Sequence, residues 1–103
     1  MGLWASILYN TRVSFQDLPG ADLVDEGLKD LRAGKESILS LLVLIGAPRL
    51  RQSGVRVPNV GLEQPEHRMY ELLAKEHGND AHSRYNALLR RLISFERALE
   101  CAR

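Results

Sequence analysis

Apolar side chains recur at alternating steps of four and three residues through the last quarter of the chain. The positions in this ladder are Ala81, Tyr85, Leu88, Leu92, Phe95, Leu99 and Ala102. This spacing places the side chains on one stripe of a continuous helix, which we expect to span 80–102. Leu89 and Ile93 widen the stripe, which favours a bundle of several helices over a two-stranded coiled coil.

The pattern upstream of the ladder predicts three further main helices. The first is expected over 18–33, with Asp17 as its N-cap. The second is expected over 35–45; it is apolar on nearly all sides and therefore central, although a buried strand is the alternative interpretation. The third is expected over 65–77, and its short link to the last helix makes these two an antiparallel hairpin.

These elements predict an all-α fold. We expect a small bundle of four main helices, with a C-terminal antiparallel helical hairpin and an irregular N-terminal arm. The arm is assigned to residues 1–17 and the bundle domain to residues 18–103, since a chain of 103 residues suits a single hydrophobic core.

The N-terminal arm combines two periodicities. Trp4, Ile7 and Leu8 have the spacing of a helix, whereas Val13 and Phe15 alternate as in a short strand. A domain of this size has a modest core, and a wide apolar stripe together with an apolar arm indicates surface that is buried between subunits. We therefore expect a symmetric homodimer with Trp4, Ile7 and Leu8 at the partner interface.

Composition and short motifs narrow the functional classes. The formal net charge of +1 does not by itself indicate a nucleic-acid or membrane partner. Cys101 is the only cysteine, so an internal disulfide is excluded. The chain has no apolar run near the ~20 residues of a membrane span, no signal-peptide pattern and no phosphate-binding glycine loop. We expect a cytoplasmic protein without a cofactor or a membrane partner.

The segment 47–57 is the first candidate site. Arg49, Arg51 and Arg56 lie there among glycine and proline, without an acid nearby in the sequence. Guanidinium groups without counter-charges suit phosphate or a carboxylate-rich partner, so the segment is a candidate for binding anions or nucleic acid. The alternative is a solvated segment whose arginines pair with acids of the first helix. A helix here would be too short to lie along a major groove.

A polar stripe on the last helix is the second candidate. His82, Asn86 and Arg90 are spaced four residues apart, so they share one helix face. Such a stripe can bind an anion, or it can place a general base beside a group that stabilises charge. The alternative is a solvated helix face, which we favour because no nucleophile is evident and we expect no cavity there.

A metal site is not expected, because the His67 and Glu71 pair alone falls short of the three converging protein ligands that a catalytic zinc needs. We therefore favour a non-catalytic helical interaction module that self-associates. A nucleic-acid or phosphate-binding accessory protein that uses the 47–57 segment is the second interpretation, and a small helical-bundle enzyme is the third.

Overall fold

The computed structural model describes residues 17–102, all-α among these residues and without a strand. The helices are Ala21–Arg32 (α1), Ile38–Ile45 (α2), Ala47–Gln52 (α3), Pro65–His77 (α4) and Ala81–Ala102 (α5), with a 3-10 turn at Gly78–Asp80. The predicted fold class is confirmed, and α2 is a helix rather than a buried strand. None of the described helices is both long and apolar enough to cross a membrane.

The start of α1 differs from the expectation. Gly20 is the N-cap residue, with φ of 81°, and Asp17 lies before a turn outside the helix. The prediction that Asp17 caps this helix is therefore wrong. Gly20 is buried because the chain runs directly against α5 here, where a Cβ on this residue would lie 2.7 Å from the carbonyl oxygen of Arg91.

The start of α2 is fixed by two serines. The Ser37 hydroxyl accepts a hydrogen bond from the Ser40 backbone N–H at 3.1 Å, and the Ser40 hydroxyl accepts one from the Ser37 N–H at 2.8 Å. This reciprocal cap satisfies two N–H groups that the first helical turn leaves unpaired. It moves the start of the helix to Ile38 from the predicted position 35.

The core is centred on α2. Leu41, Leu42 and Val43 are completely buried, as expected for a helix that is apolar on nearly all sides. Helix α1 packs closely against it at Gly27, where an added Cβ would clash with the backbone carbonyl oxygen of Leu39. Phe95 of α5 closes the core from the other side and is also completely buried.

Helices α4 and α5 form the predicted hairpin, and two ion pairs attach its inner side to the rest of the fold. Arg68 of α4 donates two hydrogen bonds to the Glu36 carboxylate, from Nε at 2.8 Å and from Nη2 at 2.7 Å. Arg91 of α5 donates from Nη2 to Asp22 Oδ1 of α1 at 3.0 Å. The opposite, outer side of the hairpin faces away from α1 and α2.

Candidate functional site

Arg49 lies on α3 and binds two carboxylates of α5. Its Nε and Nη2 donate to Glu100 at 2.8 and 3.0 Å, and its Nη1 donates to Glu96 Oε1 at 3.3 Å. The pKa of Arg49 is raised above its ordinary value, mainly by the hydrogen bond to Glu100. Arg49 therefore has counter-charges, and they come from the last helix rather than from the first.

Glu96 is a buried carboxylate that the sequence analysis missed. It is 5 % exposed, and burial raises its pKa, with the charge of Glu100 adding to the rise and that of Arg49 opposing it. Its Oε2 comes so close to Gly46 that a Cβ there would lie at 2.7 Å. The sequence could have indicated this burial, because Glu96 follows Leu92 by four residues and therefore lies beside it within the apolar stripe of α5.

The other two arginines of the 47–57 segment have different surroundings. Arg51 donates to the Val57 carbonyl oxygen from Nε at 3.2 Å and from Nη2 at 3.0 Å, and to that of Pro58 at 3.2 Å. It thereby holds the turn after α3, while Arg56 is exposed. The guanidinium groups of Arg49 and Arg51 are directed to different partners, and phosphate binding by this segment stays a prediction.

The three residues of the candidate polar stripe all lie on α5. His82 Nε2 and Asn86 Nδ2 lie 3.2 Å apart, and Arg90 follows on an exposed position one turn later. These three residues do not line either of two surface depressions, which have volumes of about 220 Å³ and 590 Å³. Neither depression therefore provides a substrate site in which His82 could act as a general base.

The depression of about 220 Å³ lies between the end of α1, helix α2 and the loop that follows α3. Its walls are mostly apolar and include Leu31, Leu41, Leu44, Val60 and Leu62. Two of its polar lining residues are already engaged within the fold, because the Glu36 carboxylate binds Arg68 and the Ser40 hydroxyl serves the cap of α2. The depression thus has few free polar groups to orient a ligand.

Four apolar side chains form a row along the outer side of the hairpin, and we call them the outer ridge: Tyr70 and Ile93, which are exposed, and Tyr85 and Leu89, which are half-buried against the core. The rings of Tyr70 and Tyr85 meet edge to face with centroids 5.5 Å apart, which joins α4 to α5. Leu89 and Ile93 continue the row at intervals of four residues along α5. Tyr70 is 38 % exposed and Ile93 is 39 % exposed.

The position of the outer ridge follows from the inner ion pairs. Tyr70 comes two residues after Arg68, and Ile93 comes two residues after Arg91, so each is turned by about 200° around its helix from an exposed arginine that binds Glu36 or Asp22. Both apolar side chains therefore point away from α1 and α2. The ridge is thus exposed at Tyr70 and Ile93 and half-buried between them.

Two charged residues, Glu66 and Arg90, lie near the outer ridge. Glu66 of α4 is exposed and close enough to Tyr85 to influence it. Burial is the main cause that raises the pKa of Tyr85, and the negative charge of Glu66 adds to it. Arg90 lies on the exposed surface of α5.

Comparison of the chain with protein-family models, with curated proteins and with solved structures finds no match. Among residues 17–102, no group of three or more histidine, cysteine, aspartate or glutamate side chains is arranged to hold a metal ion. Trp4, Ile7 and Leu8, the predicted partner interface, lie outside these described residues. The function is therefore inferred from the surface chemistry of α4 and α5.

Proposed function

We propose that the protein is a non-catalytic helical interaction module, that it self-associates in the cytoplasm, and that the outer ridge is the surface through which it does so. The observation that carries the proposal is the apolar row formed by Tyr70, Tyr85, Leu89 and Ile93, of which Tyr70 and Ile93 are exposed. Apolar side chains at intervals of four residues along a helix are the pattern with which one helix packs against another.

The hydrophobic effect favours covering this ridge. Each square ångström of apolar surface removed from water contributes roughly 25 cal/mol, and aromatic side chains are enriched at the centres of protein interfaces. Tyr70 and Tyr85 already hold each other in a defined orientation. A second molecule would therefore meet a preformed surface and would pay little conformational entropy to order it.

The polar groups of the fold are consistent with a non-catalytic role. In the part of the chain that the structure describes, no buried side-chain nitrogen or oxygen lacks a hydrogen-bond partner. Glu96, the buried carboxylate, is held by Arg49. Arg49 and Glu96 thereby attach α3 to α5.

Sedimentation velocity over a range of concentrations tests the proposal. We expect the wild-type chain, with a mass of 11.6 kDa, to form a dimer in the micromolar range. Ile93→Glu and Tyr70→Glu should each shift the protein to the monomer, because a charge on the ridge would have to be desolvated. Ala87→Glu is the matched control, since Ala87 is exposed on the opposite side of α5.

Circular dichroism would show that the variants remain helical. A wild-type chain that stays a monomer at high concentration would contradict the proposal, as would a dimer that both ridge variants leave intact. Trp4 is the only tryptophan, so its fluorescence tests separately whether the arm takes part. We expect its emission to shift to shorter wavelength and its quenching to decrease as the dimer forms.

A further inference from the structure

The smaller depression, of about 220 Å³, has one free charge among its lining residues. Glu36 is bound there by Arg68, and the Ser40 hydroxyl belongs to the cap of α2. Lys35 also lines the depression and is exposed, and its ammonium group makes no ion pair or side-chain hydrogen bond with any of residues 17–102. An uncompensated cation therefore borders a mostly apolar site.

The apolar walls of the smaller depression leave part of their surface in water. Leu44 and Leu62 are half-buried, and Val60 is 47 % exposed. Val60 lies in the loop after α3, where the Gly61 N–H donates a hydrogen bond to Asn59 Oδ1 at 3.3 Å. A ligand with an apolar body would remove this surface from water, which is favourable in proportion to the area that it covers.

The volume of the smaller depression limits the size of that apolar body. A cavity of about 150 Å³ lined by aliphatic side chains holds one benzene ring, whereas drug-sized ligands occupy pockets of about 300 Å³ or more. A depression of about 220 Å³ therefore suits a single ring or a chain of about six carbons. The flexible four-carbon stem of Lys35 lets its ammonium group meet a charge at the end of such a body.

We propose that the smaller depression binds a small ionised carboxylic acid, with its apolar body against Leu44, Val60 and Leu62 and its carboxylate at Lys35. Repulsion by Glu36 is weakened, because Arg68 donates two hydrogen bonds to that carboxylate at 2.8 and 2.7 Å. The lining residues of this site do not include any residue of the outer ridge. The proposal is therefore independent of self-association and adds a ligand site to it.

Titration of the ¹⁵N-labelled full chain with sodium hexanoate, followed by nuclear magnetic resonance, tests the site. We expect saturable chemical-shift changes centred on Leu44, Val60 and Leu62, with a dissociation constant of about 1 mM because the apolar body is short. Hexanol keeps the chain without the charge, and acetate keeps the charge without the chain, so both should bind more weakly. Sodium chloride at the same concentration controls for ionic strength.

Three variants separate the charge from the apolar contact. Lys35→Gln should weaken hexanoate binding by about two- to fivefold, the range for an exposed ion pair, and should leave hexanol binding unchanged. Lys75→Gln is the matched control, because Lys75 is exposed on α4 and does not line this depression; it should leave the binding of both ligands unchanged. Val60→Ser, at an exposed position, should weaken the binding of both ligands.

Shifts confined to the lining residues, together with loss of the preference for hexanoate over hexanol in Lys35→Gln, support the proposal. Shifts scattered over the surface, or no saturation at tenfold the expected dissociation constant, overturn it. Equal affinity of the wild-type chain for hexanoate and hexanol would assign the site to a neutral apolar group and also overturn it. Equal weakening by Lys75→Gln would show that net charge, and not Lys35, attracts the ligand, which is a further contradiction.

Discussion

The inner and outer sides of α5 differ in how completely the chain covers them. On the inner side, Phe95 is completely buried and Leu92 is 3 % exposed, and the N-cap of α1 comes within contact distance of the Arg91 carbonyl. On the outer side, Ile93 is 39 % exposed although it belongs to the same helix. The difference indicates that the inner side contributes most to stability, and it is the outer side that the proposed self-association would cover.

The largest expected contrast in the free energy of unfolding is between truncation of Phe95 and truncation of Ile93. These residues lie only about 3 Å apart along the axis of α5, at a rise of about 1.5 Å per residue. Phe95→Ala should lower the free energy of unfolding by about 3–5 kcal/mol, because it removes buried surface and leaves a cavity. Ile93→Ala should change it by less than about 0.5 kcal/mol in the monomer. Urea unfolding at low protein concentration measures both. A similar loss in the two variants would contradict the distinction.

The second test concerns the closest approach inside the core. An alanine in place of a glycine within a helix normally stabilises by about 1 kcal/mol. Gly27→Ala should instead destabilise by about 1–3 kcal/mol, because the backbone carbonyl of Leu39 cannot move aside. Ser94→Ala, at an exposed position of α5, serves as a control. Stabilisation by Gly27→Ala would show that α1 and α2 can separate at little cost.

The third test uses pH to examine Glu96. Burial raises the pKa of this carboxyl in the folded protein. The protonated carboxyl therefore contributes its full stability below the ordinary glutamate pKa of about 4.3, and this contribution is lost as pH rises through the raised pKa of the folded state. Glu96→Gln removes this loss. The urea midpoint of the variant should therefore fall less than that of the wild type above pH ~4.3. Parallel pH profiles would contradict the assignment.

The smallest expected effect is on the outer ridge, at Tyr85. Its pKa is raised above the ordinary tyrosine value, mainly by burial, so the folded protein loses stability as pH rises above about 10. Tyr85→Phe should remove this alkaline loss and keep the ring contact with Tyr70. Thermal unfolding at neutral and alkaline pH measures it. Absorbance titration should also show a higher Tyr85 pKa at concentrations that favour the dimer.

The elements with strong local signals were predictable from the sequence. Pro65 can occupy the first turn of a helix at no cost to hydrogen bonding, and Gly78 ends the same helix, so both bounds of α4 follow from the chain. The apolar ladder likewise predicted α5, and its inward position Phe95 is completely buried. The spacing of His82 and Asn86 predicted that they share one helix face, and their side chains lie 3.2 Å apart.

The features that depend on long-range contacts were not predictable from local patterns. Arg49 lies in a segment without acids, yet its partners Glu96 and Glu100 come 47 and 51 residues later. The N-cap of α1 was predicted at Asp17, whereas it is Gly20. The position of Gly20 depends on its tertiary contact with α5, which the local sequence does not reveal. The outer ridge needed knowledge of which side of α5 the other helices cover, and periodicity alone does not supply it.

The ion pair between Asp22 and Arg91 also has a consequence for the order of folding. It joins residues 69 positions apart, whereas α1 with α2, and α4 with α5, are joined by short turns that close at little entropic cost. The two helical hairpins should therefore form early and their docking should be the rate-limiting step. In native-state hydrogen exchange, the seam between α1 and α5 should open at lower free energy than either hairpin.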